Sequence, residues 1–439
     1  MNLTETQQRA FEYYNDNKNI FITGPGGCGK SFFIQSIYKD AKEKGKNICV
    51  TSLTGCSAIL LNCNATTLHK WGSFGLGKGE ERDILKKIIK TKRTKNYIET
   101  DILVIDEISM LNQKIFELLD YLCKKIRKNE EIAFGGIQII CSGDFYQLPP
   151  VCMDKTNILE KSFCFESELW EKTFDETFVF EKNFRQEQDS EFFSILQEIR
   201  EGTVTFDTIE TLVNCSKKEI DENDLIVPTK IFPIKKSVDM INNKELEKLT
   251  EKKYKYFPEV YNSNNVKITT INNKPLENEI DYIKKNSMFE ESLELCVGCQ
   301  VMCISNIDQE RKLVNGLQGI IIDFVYNAEK NNYYPKIQFE YITNPVIIYE
   351  HTWNLESTDK YNIQQLPLIL SWAITIHKSQ GLSINKALID IGNNIFEYGQ
   401  TYVALSRVKT LEGLYLTRVN AKKIKANPKV INFYNNIKK

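Results

Sequence analysis

Short apolar runs and amphipathic stretches take turns along the first 180 residues. Asn19–Thr23 (NIFIT), Ile48–Ser52, Ile102–Asp106 and Gln138–Ser142 read as short buried strands. Phe32–Lys44 and Gln113–Lys128 space their apolar residues as helices do, and the first of these stops at Gly45. Strand and helix in alternation predict a parallel sheet wrapped by helices. Such sheets bind ligands at the carboxyl ends of their strands, where this chain places its polar residues. Around Phe174–Phe184 the pattern leaves this domain. A helix is expected over Glu191–Glu201 with a stop at Gly202, a strand over Lys230–Ile234 and a helix over Val238–Leu249. From about Tyr261 to Trp353 short strands and Asn- and Gly-rich turns take over, as in Glu294–Ser305, Gly319–Tyr326 and Lys336–Tyr341. That stretch predicts a small all-β insertion. Strand–helix character returns in Leu366–Gln380, Ala387–Ile391 and Gly399–Arg407. The expected plan is therefore an α/β domain over 1–180, a second over 181–260 and 354–439, and a β-rich insertion over 261–353.

The turn between the first strand and the first long helix carries chemistry. Gly24–Ser31 reads GPGGCGKS and fits the pattern G-x-x-x-x-G-K-[ST]. Glycines here let backbone N–H groups converge on phosphate oxygens, and the helix N-terminus adds positive potential. Gly24, Gly26, Gly27, Cys28 and Gly29 would line the phosphates. Lys30 would reach the β- and γ-phosphates and the Ser31 hydroxyl would sit on Mg²⁺. Ile102–Met110 (ILVIDEISM) ends a buried strand in two adjacent acids. Asp106 would hold Mg²⁺ through water, and Glu107 would polarise the attacking water. Gln147, in CSGDFYQLPPV, would sense the γ-phosphate by hydrogen bond. ATP and Mg²⁺ are the expected cofactors.

Composition bounds the rest. A chain of 439 residues is too long for one ordinary core. It has no apolar run of 18 or more residues to cross a membrane, and its first residues resemble neither a secretory signal nor a transit peptide. A soluble intracellular protein is expected, monomeric in solution. The twelve cysteines read as reduced, small buried residues, including the C-x-x-C-x-x-x-C group Cys296, Cys299 and Cys303. A net charge of −1 leaves only local basic grooves to attract a polyanion. The basic stretches Lys86–Lys95 and Ala421–Lys439 read as solvated faces.

Taken together, these blocks resemble superfamily-one DNA helicases, and most closely the PIF-one (petite-integration-frequency) family of the RecD-like branch. LTETQQ is similar to that family's Q motif, with Gln7 in the position of the adenine reader. SLTGCSAILL and TTLHKWGSFG resemble its strand-contacting motifs, and FEKNFRQEQDSEFFSILQEIREG (Phe180–Gly202) its own signature. IFPIKKSVDMINNKEL, VGCQVMCISNID with LVNGLQGIIIDF, WAITIHKSQGLSI and GQTYVALSRVKTLEGLYL continue the match. The resemblance implies two RecA-like domains with a small Src-homology-like β-barrel inserted in the second. It implies arginine fingers at Arg185 and Arg407, both supplied by the second domain to nucleotide held by the first. Gly381 would approach the γ-phosphate, and Thr54, His69, His377 and Lys378 would contact single-stranded DNA. Trp71 and Phe74, within an excursion over about 66–85, fit either a strand-separating wedge or core packing. The implied activity is ATP-dependent 5′ to 3′ translocation on single-stranded DNA, with duplex junctions as substrate. An RNA helicase and a nucleotide-switched binding module are the competing expectations.

Overall fold

A computed structural model describes residues 3–75, 77–150, 157–187, 189–221, 224–269, 274–286, 289–308, 311, 313–355 and 360–437. The chain divides into two compact units. The first comprises Met1–Thr205, Phe396–Ser406 and Lys422–Lys439; the second comprises Phe206–Ile395 and Arg407–Ala421.

The first unit is built on six parallel strands: β1 (Ile20–Thr23), β2 (Ile48–Ser52), β3 (Thr66–Thr67), β4 (Ile102–Asp106), β5 (Gln138–Gly143) and β6 (Glu176–Val179). Their order across the sheet is β3-β2-β4-β5-β1-β6. Side chains alternate along each strand, so both faces are buried. Ile20, Ile22, Ile102, Val104 and Ile140 pack on the face that carries α1 (Glu5–Asn15) and α2 (Lys30–Glu43). Phe21, Leu103, Ile105, Ile139 and Cys141 pack into an aromatic core on the other face, with Phe116, Phe145 and Trp170. Trp71 and Phe74 belong to that core, 1% and 6% exposed, which favours packing over a wedge for both.

The second unit holds a four-stranded parallel sheet and antiparallel sheets. The parallel strands run in the order Ala373–Thr375, Thr229–Phe232, Ala387–Ile391, Leu414–Val419. Among the described residues the largest antiparallel sheet has five strands, including Gln300–Cys303, Gln318–Asn327 and Asn332–Phe339. Cys296, Cys299 and Cys303 are buried in its hydrophobic core.

Three expectations need correction. The insertion is not all-β, because Lys274–Asn286 is a helix with Leu276 and Ile280 buried one turn apart. Residues 181–205 and Phe396–Ser406, expected in the second domain, pack within the first unit. The Lys-rich end is not merely a solvated face: Pro428–Ile437 forms a helix that buries Val430 and Tyr434 in the first unit's aromatic core.

Candidate nucleotide site and strand-contacting residues

The glycine-rich loop joins β1 to α2, and its backbone explains its composition. Gly24, Gly27 and Gly29 have φ of 145°, 87° and 87°, a region L side chains avoid. A Cβ on Gly24 would collide with the Phe180 carbonyl. On Gly27 it would lie 2.6 Å from Arg185 Cβ, and on Gly29 2.9 Å from Gln7 Nε2. Gln7, 1% exposed, is held by the capping box of α1, where its Oε1 accepts from the Thr4 N–H at 3.0 Å. Gly26 is clamped from two sides. Its N–H donates to the Tyr402 hydroxyl at 2.9 Å, and its carbonyl accepts from Asn183 Nδ2 at 2.9 Å.

Lys30 Nζ donates to the carbonyls of Gly24 (2.6 Å) and Pro25 (2.9 Å). Burial opposes its charge, but Cys28, Asp144, Tyr402 and Glu107 outweigh that, so its pKa is raised and the ammonium is retained. Cys28, within the loop, is a buried free thiol, and the Ser31 position is exposed at the start of α2.

The carboxyl ends of the neighbouring strands supply the acids. Asp106 ends β4 in register with Ser52 of β2. Burial pushes its pKa up, with Ser142, the Glu107 backbone and Lys30 pulling it partly back. The buried hydroxyls of Ser52 and Ser109 have no hydrogen-bond partner. A desolvated carboxylate in register with the orphaned Ser52 hydroxyl and near an ammonium is a setting that a hard divalent cation would complete. Among the described residues no group of three or more His, Cys, Asp or Glu is gathered to cage a metal. That donor set suits Mg²⁺, which keeps waters and phosphate oxygens in its shell. Glu107 follows in a left-handed conformation, φ 56°, which turns the chain sharply away from β4.

Beyond β5 the chain makes a tight turn, Gln147 N–H donating to Asp144 O at 2.9 Å. Gln147 is 6% exposed. Asp144 is fully buried and accepts from Nη2 and Nε of the Arg200 guanidinium, at 2.8 and 2.9 Å. The guanidinium carbon lies 4.5 Å from the Tyr146 ring centre and 5.5 Å from that of Tyr434. Arg185 is also in this unit. Its N–H donates to Asn183 Oδ1 at 2.8 Å, and its guanidinium donates to Ser406 O at 3.0 Å. The finger position expected from the second domain is thus carried by the same unit as the phosphate loop.

The remaining expected residues are distributed between the units. In the first, the Thr54 hydroxyl is 2.7 Å from Ser57 Oγ and accepts from Ser57 N–H, capping the helix Gly55–Leu60. His69, half-buried, has a lowered pKa through desolvation and its ring lies 5.2 Å from that of Phe74. In the second unit, Arg407 is 2% exposed and its carbonyl accepts from Ile384 N–H at 2.9 Å. Gly381 has φ 80°. His377 is exposed and Lys378 half-buried on the short helix Ile376–Ser379. Lys378 pairs with Glu290 at 2.7 Å, and both line a cavity of about 200 Å³ with Lys235, Asn242 and Thr375. Sequence reasoning assigned no role to Asn183, Tyr402, Asp144, Arg200 or Tyr434. The first four lie inside segments already singled out by their motifs, but their partners are 56 to 376 residues away in the chain.

The profile of the family described as PIF1-like helicase matches residues 2–210, and that of the DNA helicase Pif1 2B domain matches residues 280–324. The chain is 32% identical to the ATP-dependent DNA helicase PIF1 of Candida albicans, over 99% of this chain and 56% of that protein. It is 31% identical to uncharacterized protein 030L of Invertebrate iridescent virus 6, over 99% of this chain and 94% of that one. Among solved structures, the crystal structure of Pif1 helicase from Candida albicans aligns with a TM-score of 0.80 at 34% identity, covering 100% of both chains. The chain spans between about half and two-thirds of the length of the first curated relatives it matches, 56% and 65%.

Proposed function

The chain belongs to the PIF1-like helicase family, and from that premise we propose that it is an ATP-dependent DNA helicase that moves 5′ to 3′ along single-stranded DNA. The observation that carries the reading is the convergence, at the carboxyl ends of the adjacent strands β4, β5 and β1, of the Gly24–Ser31 loop, Asp106 and Glu107, and the turn bearing Gln147. The relatives named as ATP-dependent DNA helicases support both the nucleotide and the DNA. The polarity rests on the family resemblance.

The loop N–H groups and Lys30 bind and orient the phosphates of ATP, with the N-terminus of α2 adding favourable potential. Ser31 and Asp106 would hold Mg²⁺, which when bound would supply charge neutralisation to the phosphates. Glu107 accepts the proton of the attacking water. Gln147 reads the γ-phosphate, Gly381 approaches it, and Gln7 holds the adenine. Arg185 and Arg407 offset the charge that builds on the transferring phosphoryl group. Thr54, His69, His377 and Lys378 contact the strand, and hydrolysis alternates the grip on it.

Duplexes carrying a single 5′ or 3′ tail test this directly. With ATP present the 5′-tailed duplex is unwound and the 3′-tailed one is not. Unwinding of the 3′-tailed substrate alone would reject the polarity.

A further inference from the structure

The helix Pro428–Ile437 carries a side chain that ties together two parts of the nucleotide site. Val430 is fully buried and Tyr434 is 4% exposed. The Tyr434 hydroxyl lies 2.6 Å from Thr23 Oγ1, accepts from the Phe145 N–H at 3.1 Å, and sits 3.4 Å from Asp144 Oδ1. One proton assignment satisfies all three: Thr23 and Phe145 donate to the phenol oxygen, and the phenol donates to the carboxylate.

Each contact is at a sensitive place. Thr23 is the last residue of β1, directly before Gly24 of the phosphate loop. Phe145 is in the turn that carries Gln147. β1 and β5 are hydrogen-bonded neighbours only as far as the pair Thr23 and Gly143, beyond which the two segments part. Within the turn, Gln147 N–H is satisfied by Asp144 O at 2.9 Å and Tyr146 N–H by Asp144 Oδ1 at 3.2 Å. Phe145 N–H instead reaches out of the turn, to Tyr434. The ring is held independently of its hydroxyl. It stacks on Tyr146 with centres 4.8 Å apart and planes 9° from parallel, with the Arg200 guanidinium against both rings.

We propose that Tyr434 is a positioning residue for ATP hydrolysis, its hydroxyl fixing the Gln147 turn against the end of β1 that launches the phosphate loop. This rests on the reading of Gln147 as the γ-phosphate sensor. A displacement of about 1 Å at a group that must meet a transition state can cost about a hundredfold in rate. A group one residue further removed should cost less, about tenfold, and should act on turnover rather than on nucleotide affinity.

The test uses the full chain with saturating oligo-dT and varied ATP, comparing Tyr434→Phe, Gln147→Ala and the double variant. Tyr434→Phe keeps the stacked ring and removes only the hydroxyl. It should lower kcat about tenfold while KM for ATP changes less than about twofold, and add nothing further in the Gln147→Ala background. An unchanged kcat per folded molecule, with only a lower Tm, would overturn the proposal and leave the hydroxyl a stabilising contact. Two falls in kcat that multiply in the double variant would also overturn it. The underlying reading fails separately, if Gln147→Ala alone leaves kcat unchanged. Thr23→Val removes the same junction from the β1 side and is read by the same criteria if Tyr434→Phe does not fold.

Discussion

Asp106 is placed where its charge is a burden to the isolated fold. Burial raises its pKa, so the folded state favours the protonated form relative to the unfolded chain. The sign of the pH dependence follows. Below about pH 4 the carboxyl is protonated in both states and costs nothing; as pH rises past the unfolded value the penalty grows, and it is complete above the folded one. Replacing Asp106 with Asn should therefore stabilise the nucleotide-free protein at neutral pH, with the gain vanishing below about pH 4. A higher Tm than that of the native chain is expected at pH 7. Calorimetry at pH 7 and pH 4 measures both, and the same variant should lose ATP hydrolysis. Residues of this kind were legible in the sequence because their chemistry sits in a short fixed spacing, as in Lys30, Asp106 and Glu107. Tyr402 and Asn183 were not, because each acts on Gly26 across more than 150 residues of chain.

Among the elements, the helix Ser190–Glu201 ends as its sequence foretells. Gly202 is its C-cap with φ 73°, and a Cβ there would lie 2.7 Å from Ala426 N. Gly202→Ala combines an unfavourable φ with a backbone clash and should cost about 1–3 kcal/mol in urea unfolding. Four strands of the first sheet, β1, β2, β4 and β5, were legible within a residue, since short apolar runs bounded by turns leave little choice; β3 and β6 were not read as strands. The helix Lys274–Asn286 was hidden, as the buried Leu276 and Ile280 stand among Lys, Asn and Glu. Pro428–Ile437 was masked in the same way by flanking lysines, although Val430 and Tyr434 stand four apart on one face.

For the whole molecule, alternation of strand and helix announces the class of fold but not which sheet a returning segment joins. Phe396–Ser406 follows a strand of the second unit yet packs in the first, where Tyr402 and Ser406 meet the phosphate loop and Arg185. Only tertiary contacts, many residues apart in sequence, decide that. The net charge of −1 likewise gives no long-range pull on DNA, so the proposed strand binding would have to come from local groups. The proposed motor couples ATP hydrolysis to strand binding, and that coupling is the property on which the proposed function stands. Steady-state ATP hydrolysis, measured with and without oligo-dT in the native chain and in Glu107→Gln, tests it most directly. Strand-stimulated hydrolysis in the native chain, reduced about a hundredfold or more by Glu107→Gln with nucleotide still bound, is the expected result. Hydrolysis indifferent to DNA, or unchanged by the loss of the Glu107 carboxylate, would contradict it.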